Sequence, residues 1–301
     1  MPKSKPTTAT TLQALCRQEE SHYRIRGRYL KASSNIDGKV VQRRNKCRAA
    51  MVTWCCTVVD YLEFERDTVT IALSYLDRFL ETPQGQACLT TPRRFKMAGM
   101  TCLYTAIKTH EPEAIEPDLV VELSGNLCST DDIETMERTI LQALGWRVNP
   151  PTALSFCREL LALVPSRLAD ADALLDLAQV QTELAVHDAR LITTPPSLLS
   201  LAAIFNALES KHSSLETLDD LSQLFFVALA GSKTLDMDAV FDVQDILDDI
   251  IRAQNSKSAQ PKKEDVTASP TTPAKEMALA TNSVAVVSPT PVRCYKAAEA
   301  A

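Results

Sequence analysis

Apolar residues return every three or four positions along one segment of this chain after another, and four of these stripes each carry one ionic residue. The first stripe runs Met51, Trp54, Cys55, Val58, Leu62, with Arg48 one turn ahead of Met51. The second reads Val69, Ala72, Leu73, Leu76, Leu80, with Asp77 four places beyond Leu73. Met97, Met100, Tyr104 and Ile107 lead to Lys108, and Ile133, Met136, Ile140, Leu141 and Leu144 enclose Glu137. Residues so spaced share a helix face, so the chain must bury helices against one another and the four charges point toward packing surfaces. A charge in such a place must pair internally or meet a partner's polar groups, because leaving it bare costs about several kcal/mol.

Composition supports helices. Only seven glycines occur in 301 residues, aromatics make up 5%, and no Val/Thr/Tyr alternation reads as a strand. The net charge of −6 is unevenly spread: residues 1–46 carry +8 and residues 253–301 carry +2, leaving −16 on the middle. An acidic body repels phosphate and argues against nucleic-acid binding. The basic arm could still contact nucleic acid, or simply be solvated and help import. Nine cysteines without a CxxC pair, an odd count and no opening secretory signal imply a reducing compartment. With no run of roughly 18–20 apolar residues to span a membrane, the expectation is an intracellular protein of nucleus and cytoplasm.

The expected organisation is all-α. Residues 1–42 form a basic, partly helical arm, and residues 43–149 and 150–252 form two helical units. Residues 253–301 form a disordered tail rich in Pro, Ser, Thr, Lys and Ala. The first helix of the first unit is expected from about Asn45. Pro92 suits a helical first turn, and Ser129 followed by Asp131, Asp132 and Glu134 reads as a helix start. Asn149-Pro150-Pro151-Thr152 breaks the chain. Helices of the second unit are expected near 152–164, 168–190, 197–211, 216–230 and 235–253.

Several strings resemble the cyclin family. CRAAMVTWCCTVVDYLEFERDTVTIALSYLDRFL resembles the opening of a cyclin box, usually Met-Arg-Ala-Ile-Leu-x-x-Trp and then a helix ending Tyr-x-Asp-Arg-Phe-Leu. FKMAGMTCLYTAIKTHE is similar to the third box helix, and CSTDDIETMERTILQALGWRVNPPTALSF to the fifth helix and the link that follows. ELAVHDARLITTPPSLLSLAAIFNAL resembles the weaker C-terminal box. The likeness covers about residues 43–252 and implies two tandem five-helix cyclin-box domains.

The resemblance also implies roles. Arg48 and Asp77 would form an internal ion pair. Lys108 and Glu137 would face a cyclin-dependent kinase and hydrogen-bond the backbone around its regulatory helix; spacing alone favours a salt bridge with each other or with local neighbours inside the fold. The implied protein is a non-catalytic activator of a cell-cycle kinase, closest in flavour to D-type or G1 regulators, and needs no cofactor of its own. Alternatives are a transcription-type cyclin serving a polymerase-tail kinase, or a cyclin-fold nucleic-acid-binding factor. The substrate-docking patch of cyclins maps to Cys47, Ala50, Met51, Trp54 and Lys96, with Thr57 also among its positions, although from the residues alone Trp54 reads more as core than as contact. This groove is smaller and less acidic than the family pattern and should hold an Arg-x-Leu peptide, from a substrate or inhibitor, poorly. Ser269, Thr272, Ser288 and Thr290 each precede proline and are candidate phosphosites marking the protein for turnover, or a reflection of tail composition. No histidine spacing suits a metal, and no glycine-rich phosphate loop or nucleophile elbow occurs.

Overall fold

The computed structural model describes residues 8–31, 37–211, 215–229 and 236–258, and among these the regular elements are all helices. In chain order they are α1 (Thr8–Ser21), α2 (Gly38–Tyr61), α3 (Asp67–Leu80), α4 (Pro83–Gln86), α5 (Pro92–His110), α6 (Pro117–Leu123), α7 (Thr130–Ala143), α8 (Ala153–Leu161), α9 (Ala171–Ala185), α10 (Pro196–Ser210), α11 (Leu215–Ala228) and α12 (Met237–Ser258). Single 3₁₀ turns lie at Arg28–Leu30, Ala87–Leu89 and Ala189–Leu191.

Local chemistry sets the starts. Proline occupies the first turn of α4, α5, α6 and α10, where a missing N–H costs nothing. Ser129 and Asp132 form a reciprocal capping box at α7, and Thr152 and Ser155 form another at α8. The Ser129 hydrogen bonds hold the Asp132 carboxyl below its ordinary value.

Each unit is built round one helix that is apolar on nearly every side. In the first, Ala98 to Ile107 of α5 is buried without interruption between α2, α3 and α7. Thr101 and Thr105 fit there because their hydroxyls donate back to the carbonyls of Met97 and Thr101 at 2.9 and 2.8 Å. In the second, α10 has the same role, buried from Leu201 to Leu208 against α8, α9 and α12. Fully burying each large apolar side chain there contributes about 1.5–3 kcal/mol. Gly99 lets α2 approach α5 closely, since a Cβ there would lie 2.9 Å from Met51 Cε.

Helix bounds differ most from the sequence expectation at α2, α9 and α12. Helix α2 starts at Gly38, capped by the Asp37 side chain, so the boundary drawn after residue 42 falls within it. Helix α9 ends at Ala185, because Asp188 caps a separate 3₁₀ turn by accepting from the Arg190 N–H. Helix α12 continues through residues 253–258, which had been assigned to the tail.

Residues 8–31 of the arm are packed against the body of the protein. Leu12 of α1 is buried in the core of the second unit. Glu19, also buried, accepts from the N–H and hydroxyl of Ser197 at 2.7 and 2.6 Å, so the arm caps α10. Burial pushes the Glu19 carboxyl up while the Ser197 hydrogen bonds pull it down, with a net upward shift. Further on, the N–H groups of Arg26 and Arg28 donate to Glu81, Tyr23 lies under Arg78, and the Tyr29 hydroxyl donates to Asp77. The arm therefore straps both units together, and several of its polar groups are satisfied by protein rather than water.

Candidate functional site

Arg48 and Asp77 join α2 to α3 at the centre of this strap. The guanidinium donates Nε to Oδ1 at 3.1 Å and Nη2 to Oδ2 at 2.9 Å, and both side chains are buried. Its Nη1 reaches across to the Val186 carbonyl at 3.1 Å, just beyond α9. Tyr29 completes the cluster on Oδ1. Burial works against the Arg48 cation, but Asp77 outweighs it and raises its pKa; burial and then Asp77 raise that of the Tyr29 phenol. The cluster holds structure, and Arg48 and Asp77 also line the cavity between the two units.

Lys108 lies in the last turn of α5 and Glu137 midway along α7. Their side chains meet, with Nζ 3.2 Å from Oε2 and 3.3 Å from Oε1, so in the isolated chain they bridge to each other. They do so on the surface: the side chains are 50% and 13% exposed. The Lys108 Nζ also lies 5.4 Å from the centre of the Tyr104 ring. Burial opposes the ammonium, yet Glu137 and Tyr104 together raise its pKa. The half-exposed Lys108 end leaves the bridge partly screened by solvent, so exchanging it for another partner costs less than breaking a fully buried pair. Lysine offers three donors and a carboxylate only acceptors, which equips the two for neighbouring carbonyl and N–H groups.

The docking patch divides into two layers. Cys47 is half-buried, Ala50 is exposed and Lys96 is half-buried, with Cys47 and Lys96 facing one another across the α2–α5 crossing. Met51 and Trp54 do not line that surface. They are 1% and 3% exposed and lie in the core, and Gly99 lets α5 come down closely on Met51. The Trp54 indole N–H is buried without a hydrogen-bond partner among the described residues. Sequence reasoning missed Tyr29, Glu19 and the exposed Trp146, which is 67% accessible and follows Gly145 in a left-handed turn after α7.

Burial raises the thiols of Cys55, Cys102 and Cys157, as suits cysteines serving as small apolar residues. Among the described residues no cluster of His, Cys, Asp and Glu could hold a metal, and no helix is long and apolar enough to cross a membrane. Ser269, Thr272, Ser288 and Thr290 lie outside the described residues.

Residues 11–149 match the family described as "Cyclin, N-terminal domain". That span contains the whole Arg48–Asp77 and Lys108–Glu137 geometry. Residues 11–149 belong to the cyclin family. It is 27% identical over 237 residues to G1/S-specific cyclin-E1 of Danio rerio, covering 73% of this chain and 54% of that one. It is 28% identical over 163 residues to Cyclin-A1-2 of Oryza sativa subsp. japonica, covering 53% of this chain and 33% of the relative. The chain thus spans between a third and a little over half of these relatives' lengths. Its fold is similar to that of a viral cyclin from herpesvirus saimiri, with a TM-score of 0.58 at 18% identity, covering 80% of this chain and 97% of the other. That likeness identifies the all-α cyclin fold.

Proposed function

We propose that this cyclin is a non-catalytic regulatory subunit that binds and activates a cyclin-dependent Ser/Thr protein kinase in G1/S-type cell-cycle control, in the nucleus and cytoplasm. The observation that carries the proposal is the Lys108–Glu137 pair. Two opposite charges from two packed helices stand together on the surface of a cyclin box, weakly committed to each other. On meeting the kinase, Lys108 would release Glu137 and donate to backbone carbonyls while Glu137 accepts backbone N–H groups. Charge-assisted bonds of this kind contribute about 1.5–3 kcal/mol each. Binding the kinase conformer in which the regulatory helix places its Glu against the ATP-orienting Lys selects the active state. ATP and magnesium belong to the kinase. Exposed Trp146 offers the kind of aromatic anchor that interfaces favour. The G1/S assignment draws support from the similarity to a G1/S-specific cyclin.

The test is affinity purification of the tagged protein, identification of the co-purifying kinase, and repetition with Lys108→Ala/Glu137→Ala. Loss of the kinase together with its activity on a generic substrate is expected. Undiminished kinase recovery with the double variant would remove the assignment.

A further inference from the structure

The exposed face where α2 crosses α5 is strongly basic. No Asp or Glu occurs in α2 before Asp60, and none occurs anywhere in α5. Lys39, Arg43, Lys46 and Ala50 follow one another at three- and four-residue steps and are all exposed. Across the crossing stands Lys96, half-buried, with Arg94 exposed beside it. Lys96 and Arg43 both lie close enough to the Cys47 sulfur to act on it electrostatically. Arg48, Arg66, Lys108, Arg190 and Arg252 all have carboxylate partners, but Arg43, Lys46 and Lys96 pair with none among the described residues. Burial lowers the Lys96 ammonium. A cluster of unpaired cations, one of them partly desolvated, sits on a body whose residues 47–252 carry −16. That is a local field short of an anion.

We propose that this face docks a carboxylate-rich peptide, with Asp or Glu side chains against Arg43, Lys46 and Lys96 and a small apolar side chain beside Ala50 and Cys47. If the chain is a kinase subunit as inferred above, the peptide belongs to a substrate of that kinase. Spacing suits an extended peptide: cations one helical turn apart are about 5–6 Å from each other. Alternate side chains of an extended strand are about 6.6–6.8 Å apart. An arginine-bearing peptide would meet like charge at Lys96. Nucleic acid fits less well, because single strands bind by stacking on aromatic platforms. Among the described residues the exposed aromatics are Tyr61, Trp146 and Phe241; only Tyr61 is on α2, at its far end eleven residues beyond Ala50, and Trp54 is buried.

The experiment measures fluorescence anisotropy of labelled peptides with the full chain. One probe alternates Glu and Leu, one is an Arg-x-Leu peptide, one carries phosphoserine in place of Glu, and a thymidine oligonucleotide is the fourth. The Glu/Leu peptide is expected to bind roughly tenfold or more tighter than the Arg-x-Leu peptide and to weaken with salt. Arg43→Glu/Lys96→Glu should reverse that preference, and Lys46→Glu/Lys96→Gln, a milder change, should weaken it if the first variant folds poorly. Equal binding of the Glu/Leu peptide by the wild-type and both variants overturns the proposal, as does a preference for the Arg-x-Leu peptide. Binding of only the phosphoserine probe or only the oligonucleotide also overturns it. Lys108→Ala/Glu137→Ala should leave peptide binding unchanged, so failure of this surface and failure of the kinase assignment are read separately.

Discussion

Arg48 holds Asp77 by two parallel hydrogen bonds and keeps one guanidinium nitrogen for the Val186 carbonyl of the other unit. One side chain thereby joins α2, α3 and the end of α9, while Tyr29 ties the arm to the same carboxylate. Removing one member of a buried pair leaves the other charge uncompensated, at a cost of about 3–5 kcal/mol. Arg48→Ala should destabilise the fold by that amount in denaturant titration. Tyr29→Phe, which deletes only a hydroxyl on a charged acceptor, should cost about 1.5–3 kcal/mol. Equal effects of the two substitutions would contradict this ordering.

Lys108 and Glu137 predict the opposite. Their bridge is at the surface, so Lys108→Ala/Glu137→Ala should shift stability by about 1 kcal/mol or less. A thermal midpoint close to the unsubstituted protein, alongside lost kinase recovery, would separate a recognition role from a structural one.

Asp67 opens α3 beside the junction of the units and accepts from the Thr152 hydroxyl at 2.9 Å. Burial pushes its carboxyl from an ordinary 3.8 up to about 6, with Thr152 pulling the other way. The folded state therefore binds this proton more tightly than the unfolded state. Its stabilising effect is complete below about pH 4 and is lost as pH rises through about 6, a difference of about 3 kcal/mol. Asp67→Asn should be more stable than the parent at pH 7 and indistinguishable near pH 4. Denaturation midpoints of both proteins across that range check the sign.

Gly27 turns the arm at a φ of +63°, where a Cβ would also lie 2.7 Å from Thr193 Cγ2. Left-handed backbone costs a non-glycine residue about 1–2 kcal/mol. Gly27→Ala should loosen the arm and speed tryptic cleavage at Arg24, Arg26 and Arg28. An unchanged cleavage rate would mean the turn tolerates a side chain.

The helices were readable wherever apolar spacing and caps agreed, as for α3, α5 and α7 with Pro92 and Ser129. Spacing also placed Lys108 and Glu137 on packing faces, but it could not distinguish a bridge from a partner contact, because both need the same register. Met51 and Trp54 looked available as groove residues because one stripe does not reveal which neighbour covers it. For Met51 it is Gly99, on another helix, that brings the cover close. Tyr29 and Glu19 were invisible for a different reason. Their partners, Asp77 and Ser197, are far along the chain, and a polar arm with excess positive charge resembles a solvated one.

The segment after α7 has its own consequence. Tyr75 and His110 both hold the Val148 carbonyl, Arg78 holds that of Arg147 at 3.1 Å, and Asp67 fastens Thr152. Four anchors within six residues make this crossing a bracket where a bare proline pair would leave a hinge. Anything wide enough to lean on both halves meets them at one preset offset, and needs no ordering of the joint before it can grip.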